Sequence, residues 1–174
     1  MEEEIKKVIR DIEDFPKKGI LFRDITPILE NAKLTKRITK EFCNRMKDCE
    51  IDAVLGIESR GFFWGLLISQ ALQVPFIPLR KKGKLPYKTI TQKYDLEYGV
   101  AEVEVHADAI KAGMKVFVHD DLLATGGTAS AAAEIIQRQK AEVAGFGFLV
   151  ILHFLQGEEK LKKYSNKIFG LANY

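Results

Sequence analysis

The sequence is short of the features that define several large classes of protein. It has only two cysteines, Cys43 and Cys49, in no metal or redox spacing, so we expect reduced thiols and a cytosolic protein. No apolar run is long enough to cross a membrane, and the charged residues 1–7 lack the apolar core of a signal peptide. A formal net charge of +3 gives no reason to expect binding to nucleic acid or to a membrane surface.

The rest of the composition is typical of a soluble enzyme of one domain. The chain has 174 residues, of which 47% are apolar and 29% are charged, and these are ordinary globular values. A chain of this length can bury a deep core. We find no internal repeat, low-complexity segment or linker, and therefore expect a single domain over residues 1–174.

The most informative stretch runs from Val116 to Thr128 and reads VFVHDDLLATGGT. It predicts a strand, two adjacent acids where that strand ends, a glycine turn, and a helix with Thr128 near its N-cap. This order forms a phosphate cradle, because free backbone N–H groups of the first helical turn converge on an anion. The two carboxylates would need a partner such as vicinal hydroxyls or a metal. A P-loop is excluded, because no Gly-Lys-Ser/Thr follows the glycines; a merely structural tight turn is the alternative.

This stretch resembles the phosphoribosyl-pyrophosphate (PRPP) motif of the type I phosphoribosyltransferases. The resemblance implies that Asp120 and Asp121 bind the ribose hydroxyls. It also implies that the loop binds the 5′-phosphate of PRPP and of AMP, through Ala124, Thr125, Gly126, Gly127 and Thr128. His119 stands where that family usually has an aliphatic residue. Because neighbouring side chains of a strand alternate, we expect His119 to point away from Asp120 and to be structural.

Residues 17–29 read KKGILFRDITPIL and follow a predicted amphipathic helix that Phe15-Pro16 stops. They predict a loop that packs on the core or lines a pocket, since large apolar residues are too many for a solvated turn. The segment resembles the base-binding segment of adenine phosphoribosyltransferases. That resemblance implies that Phe22 stacks on adenine while backbone groups of Leu21 and Arg23 bond its N1–N6 edge. Hypoxanthine and guanine present the opposite hydrogen-bonding pattern at this edge.

A second strand, Ile51–Ile57, leads through Glu58-Ser59-Arg60-Gly61-Phe62 into a helix. An arginine fork can hold a diphosphate through two parallel bonds. The alternative is that Arg60 pairs with Glu58 and merely caps an element. The loop is similar to the pyrophosphate loop of the same family, which implies that Ser59 and Arg60 bind pyrophosphate.

Residues 81–102 form a connection long enough for a lid. Basic residues from Arg80 to Lys88 favour a solvated face or, with Tyr87, a contact to nucleic acid, but glycine and proline interrupt the run and no basic stripe extends it. The hexapeptide YDLEYG, residues 94–99, matches the lid signature of the family. The match implies that Lys81, Lys84 and Tyr98 contact pyrophosphate and that Glu97 is the general acid/base of a closed lid. Alternation over residues 102–105 predicts one strand of a lid hairpin.

The remaining patterns predict scaffold. Apolar residues four apart predict a helix over Leu34, Ile38, Phe42 and Met46, and apolar runs predict strands over residues 142–152 and 167–171. Ile151 stands where the family often has a Glu or Asn close to the base. His106 and His153 have no ligand spacing, so we expect surface or supporting roles for them.

We therefore predict an α/β fold: a central, mostly parallel sheet flanked by helices, with a base-binding hood (about 1–30) and a mobile lid (about 81–102). The resemblance implies a homodimer that converts adenine and PRPP to AMP and pyrophosphate. It further implies Mg²⁺ carried by PRPP without direct protein ligands. The alternatives are another base, such as hypoxanthine or xanthine, and a regulator that senses PRPP without turnover. Against the regulator, the lid is retained and little chain precedes Phe15 for a DNA-binding domain.

Overall fold

The computed structural model describes residues 1–95 and 99–174. Its helices and strands alternate along much of the chain. In order they are α1 Glu2–Val8, β1 Arg10–Ile12, β2 Phe22–Asp24, α2 Thr26–Leu29, α3 Ala32–Arg45, β3 Ala53–Ile57, α4 Gly61–Leu72, β4 Phe76–Lys81, β5 Thr89–Asp95, β6 Val100–His106, β7 Lys115–Leu123, α5 Gly127–Arg138, β8 Glu142–Ile151, α6 Gly157–Leu161 and β9 Ile168–Asn173.

Seven strands form one sheet in the order β5-β6-β4-β3-β7-β8-β9. The five neighbouring strands β4, β3, β7, β8 and β9 run parallel, while β6 is antiparallel to both β4 and β5. The predicted α/β fold with a mostly parallel sheet is therefore confirmed. The predicted hairpin also forms, but it continues the main sheet, because Arg80 on β4 pairs with Glu104 on β6. Parallel strands place their carboxyl ends, and the loops that follow them, at one edge.

Helices cover both faces of the sheet. One apolar layer contains α5 with Ile135 and Ile136, and the other contains α1, α3 and α4 with Phe42 and Trp64. The helix predicted over Leu34, Ile38, Phe42 and Met46 is confirmed as α3, and Asn31 caps its start by accepting a bond from the Leu34 N–H at 3.0 Å. No helix within residues 1–95 and 99–174 combines the length and apolarity that crossing a bilayer requires.

The N-terminal part differs from the prediction. The first helix ends at Val8, well before Phe15-Pro16, and residues 10–12 pair antiparallel with Phe22–Asp24. The helix was predicted from the apolar spacing of Ile5, Val8, Ile9 and Ile12, which fits a helix equally well, but pairing with β2 gives the backbone around Ile12 its hydrogen bonds. Residues 17–29 are consequently not one loop, since they contain β2 and the short helix α2.

The central motif also differs in two details. β7 continues to Leu123, so both acids lie within the strand and not after it, because the pairing with β8 extends to Leu123 and Ile151. The helix begins after Gly126, which has a φ of +78°, and Thr128 lies inside the first turn. A positive φ is the conformation that glycine adopts at least cost.

Candidate active site

The turn between β7 and α5 is held by close backbone contact with the start of α6. A Cβ on Gly126 would lie 2.7 Å from the carbonyl oxygen of Gly157, and a Cβ on Gly157 would lie 2.1 Å from that of Ala124. Glycine at both positions therefore allows the two segments to touch. Gly157 was not predicted as a site residue, although the Gln156-Gly157 pair soon after β8 signals a tight turn.

A cavity of about 440 Å³ opens over this turn. Strand β5 contributes Tyr94 and Asp95 to its wall, and the Thr128 hydroxyl donates to the Tyr94 Oη at 3.1 Å. The predicted phosphate residues all line the cavity, together with Lys17 and Leu155: Ala124, Thr125, Gly126, Gly127 and Thr128. Tyr94 was missed at the sequence level because it was read only as part of the lid signature.

A second cavity, of about 410 Å³, adjoins the first and shares Asp120 and Leu122 with it. It collects side chains from the hood, the loop after β3, the end of β4 and the end of β7. Its walls include Phe22, Glu58, Ser59, Arg60, Lys81, Asp120 and Asp121. Predicted base, ribose and pyrophosphate residues, distant in sequence, are thus brought together.

Arg60 is directed towards β7 and the hood. Its Nε lies 3.0 Å from Oδ2 of Asp121, and its guanidinium carbon lies 4.9 Å from the ring centre of Phe22. A cation over an aromatic face is attracted by the ring quadrupole. Both contacts place Arg60 between the proposed ribose and base positions.

Glu58 is engaged elsewhere, so the alternative pairing of Arg60 with Glu58 is wrong. Its carboxylate accepts from the Lys81 N–H at 2.8 Å and from Arg80 Nε at 3.2 Å. Burial raises the pKa of Glu58, but the bonds from Lys81 and Arg80 outweigh this and the pKa is lowered. Glu58 is thus an ionised anchor for the end of β4.

Asp120 and Asp121 have raised pKa values, chiefly because burial disfavours the charged form. The adjacent Asp121 raises the pKa of Asp120 further, whereas Arg60 opposes the rise at Asp121. Asp121 is only 4% exposed, while Asp120 is partly exposed and lies at the junction of the two cavities. Hydroxyl donors or a cation at this junction would favour the charged carboxylates.

Residues 24–173 match the family model described as a phosphoribosyl transferase domain. The chain is 47% identical over 174 residues to the adenine phosphoribosyltransferase of Cytophaga hutchinsonii, covering 100% of this chain and 96% of that protein. It is 48% identical over 170 residues to that of Flavobacterium johnsoniae, covering 98% of this chain and 99% of that one. The chain belongs to the adenine phosphoribosyltransferase family.

Solved structures agree with this assignment. The adenine phosphoribosyltransferase of Thermoanaerobacter pseudethanolicus superposes with a TM-score of 0.96 at 42% identity, covering 100% of both chains. The enzyme of Saccharomyces cerevisiae, solved with an imino-altritol bisphosphate and adenine, gives a TM-score of 0.90 at 37% identity and covers 97% of both chains. The predicted family and its fold are therefore confirmed.

Several predicted residues lie outside the two cavities. The Leu21 side chain is 45% exposed, and the Arg23 side chain pairs with Asp11 and lies over the ring of Tyr174. The predicted contacts of Leu21 and Arg23 with adenine use their backbone groups, so the positions of their side chains neither support nor contradict that prediction. The Lys84 side chain lines neither cavity.

Two further site residues were predicted in the stretch from 94 to 99. Glu97 and Tyr98 lie outside the described residues, so their predicted roles stay predictions. Among the residues that the structure does describe, no group of three or more His, Cys, Asp or Glu side chains is arranged to hold a metal ion.

His119 is fully buried on the face of the sheet that α3 covers. Its ring meets that of Phe42 edge to face, with ring centres 4.9 Å apart. Neither ring nitrogen has a hydrogen-bond partner in the described part of the chain. Burial has the larger effect on the pKa of the ring, whereas the nearby backbone of Gly147 favours the protonated ring and so raises the pKa. Burial lowers the pKa of His119 to about 3.

The other singled-out residues also lie apart from the cavities. Ile151 is 2% exposed and packs against Gly170, so an apolar side chain suits this position. His153 is half exposed and bonds Glu158 at 2.6 Å and Asn173 at 3.1 Å. His106 lines neither cavity.

Proposed function

We propose that this protein transfers the 5-phosphoribosyl group of PRPP to adenine, giving AMP and pyrophosphate. The observation that carries the proposal is the pair of adjoining cavities that share Asp120. One ends on a backbone cradle suited to a phosphate, and the other is lined by Phe22, Arg60 and Lys81. A ligand with a phosphate at one end and a base or diphosphate at the other fits this arrangement. Relatives almost half identical over the full length support the same reaction.

The ribose and its 5′-phosphate would bind across the junction. Free N–H groups at the start of α5, with the hydroxyls of Thr125 and Thr128, suit the phosphate. The carboxylates of Asp120 and Asp121 are acceptors for the 2′- and 3′-hydroxyls. Phe22 would stack on adenine, while backbone groups of Leu21 and Arg23 bond its N1–N6 edge.

The diphosphate would lie on the other side of the junction. Ser59, Arg60 and Lys81 line that cavity, and Lys84 and Tyr98 would join from the lid. Magnesium would enter on the diphosphate of PRPP, where oxygen ligands suit a hard cation, and the nearby carboxylates are compatible with it. When bound, it would neutralise negative charge that develops on the departing pyrophosphate.

The chemical step would be displacement at the anomeric carbon. N9 of adenine forms the new bond as the bond to the diphosphate oxygen breaks, through an oxocarbenium-like state. Arg60 and Lys81 stabilise the charge on the leaving group. Glu97 would take the proton that adenine loses on its imidazole side, and the closed lid would exclude the water that hydrolyses PRPP.

The test is pyrophosphate release from PRPP and Mg²⁺ with a panel of bases. Adenine should be preferred, with hypoxanthine and guanine at least about a hundredfold lower in kcat/KM, because the wrong edge leaves buried groups unpaired. Comparable turnover of hypoxanthine would assign the protein to another base. PRPP binding without turnover of any base would instead indicate a sensor. Phe22→Ala should weaken adenine binding more than PRPP binding.

A homodimer in the cytoplasm completes the proposal. Helix α4 exposes Phe63, Leu66 and Leu67, and an apolar groove of about 610 Å³ runs between α3 and α4. A second copy would bury this surface, and light scattering of the purified protein measures the stoichiometry. The two free cysteines, Cys43 and Cys49, fit a reducing compartment.

A further inference from the structure

Glu104, on β6, is a buried carboxylate that holds a turn of the main chain. It is 4% exposed, and its Oε1 accepts from the N–H groups of Gly83, Lys84 and Leu85 at 2.9, 3.1 and 3.1 Å. Successive N–H groups that converge in this way form a binding concavity for anions. Here a side chain of the same protein fills it.

This carboxylate is ionised despite its burial. Burial raises the pKa of Glu104, but the three backbone N–H groups and the side chain of Thr89 outweigh that effect, and the pKa is lowered. Bonds to a charged acceptor are stronger than those between neutral groups. Glu104 alternates in the sequence with the apolar Val103 and Val105, yet all three side chains are buried.

The turn that Glu104 holds is linked by hydrogen bonds to the second cavity, where the diphosphate would bind and which we call the diphosphate cavity. Arg80 donates through Nη1 to the Lys84 carbonyl at 3.1 Å and through Nε to Glu58 at 3.2 Å. Glu58 in turn accepts from the Lys81 N–H at 2.8 Å. One continuous set of bonds therefore runs from Glu104, through the turn and Arg80, to the backbone of Lys81.

We propose that Glu104 is a positioning residue for the pyrophosphate side of the site, an inference that rests on the proposed function. Residues 80–84 carry four cationic side chains, which repel one another. By binding three N–H groups, Glu104 fixes the backbone from which Lys81 and Lys84 project. It lines neither cavity, so it touches no ligand itself. Its Oε1 bonds go to residues 83–85 and not to the 5′-phosphate cradle.

The test compares Glu104→Gln with Glu102→Gln. Glu102 lies two residues away on the same strand and pairs with the side chains of Lys82 and Lys93. Calorimetry measures the binding of pyrophosphate with Mg²⁺ and, separately, of AMP. We expect Glu104→Gln to weaken pyrophosphate about tenfold to a hundredfold, since small misplacements of binding groups have effects of this size. AMP binding should change by less than about threefold, and Glu102→Gln should change either ligand by no more than that.

Amide hydrogen exchange gives a readout that does not depend on binding. The N–H groups of residues 83–85 should exchange at least about tenfold faster in Glu104→Gln than in the wild type. Should that variant fail to fold, Thr89→Val removes one donor only, and it should show the same selective loss on a smaller scale. Equal weakening of AMP and pyrophosphate, or normal pyrophosphate binding by a variant with faster exchange, would overturn the positioning role. A wild-type protein that binds neither ligand would instead overturn the proposed function.

Discussion

The two cavities are built in different ways. The cradle is made of backbone, because Gly126 and Gly157 allow two turns to touch and the start of α5 supplies free N–H groups. The diphosphate cavity is lined largely by charged side chains, and two of them already have partners: Arg60 contacts Asp121 and Phe22, and Glu58 binds Arg80. We infer that the phosphate end is preformed, whereas the diphosphate end must exchange internal contacts for ligand contacts.

That difference affects affinity. A ligand that needs Arg60 competes with Asp121, so its apparent affinity is reduced by the fraction of the protein in which Arg60 is engaged. A ligand that binds the backbone N–H groups of the cradle does not compete with that ion pair, and only the Thr128 hydroxyl would have to leave its bond to Tyr94. Ribose 5-phosphate and pyrophosphate therefore measure the two regions separately.

The largest expected effect is disruption of the cradle by Gly126→Ala. The new Cβ would lie 2.7 Å from the Gly157 carbonyl oxygen and would displace the turn. We expect ribose 5-phosphate and AMP affinity to fall about a hundredfold, while pyrophosphate affinity changes little. Gly113→Ala is the matched control, since Gly113 has a φ of +82° but nothing within 4 Å of an added Cβ. Calorimetry of the three ligands checks this, and equal losses in both variants would contradict it.

Arg60→Lys should have the next largest effect, on the other region. A lysine keeps the charge but loses the planar fork that holds a diphosphate through paired bonds. Pyrophosphate affinity should fall about tenfold, with ribose 5-phosphate binding within about twofold of the wild type. If ribose 5-phosphate binding fell equally, Arg60 would belong to the cradle as much as to the diphosphate site.

Asp121→Asn should produce a smaller effect with opposite signs for two ligands. The variant removes the ion pair that holds Arg60, so pyrophosphate alone should bind about threefold more tightly. PRPP should bind more weakly, because a ribose acceptor is lost. Weaker binding of both ligands would show that the ion pair supports the site and does not compete with it.

The sequence predicts much of the site because its motifs are contiguous. The cradle is one stretch, and a turn with free N–H groups is encoded locally by Gly126 and Gly127. Partners from distant segments were less predictable. The sequence offered the neighbouring Glu58 as a partner for Arg60, whereas Arg60 contacts Asp121 and Glu58 binds the Lys81 N–H. Neither Gly157 nor Glu104 belongs to a recognisable motif. In the hood, the spacing that included Ile12 suits two structures, and only the partner strand decides between them.

The smallest expected effect on activity concerns His119→Val, which alters β7 beneath both regions. Catalysis should stay within a few-fold, because the ring faces α3. Stability is the sensitive readout. The pKa of His119 is lowered to about 3, so the unfolded chain binds the proton first as the pH falls below about 6.5. The wild type should therefore lose stability from about pH 6.5 towards pH 3. Between neutral pH and pH 5, its free energy of unfolding should fall by about 2 kcal/mol more than that of His119→Val.

Urea unfolding between pH 4 and pH 7.5 measures this difference. His153→Val is the control, since His153 is half exposed at the surface. Parallel stability curves for His119→Val and the wild type would show that the buried ring is not the source of the acid sensitivity. A large, pH-dependent loss of kcat in His119→Val would show that the ring takes part in the reaction.

The most direct test of the two-region account is a crystal structure with pyrophosphate and Mg²⁺. The account predicts that Arg60 leaves Asp121, from which its Nε is now 3.0 Å, and leaves the ring of Phe22 to grip the diphosphate. The turn over residues 124–128 should keep its present backbone, with Gly126 still in contact with Gly157. A diphosphate bound while Arg60 remains on Asp121, or a cradle that rearranges to admit it, would contradict the account.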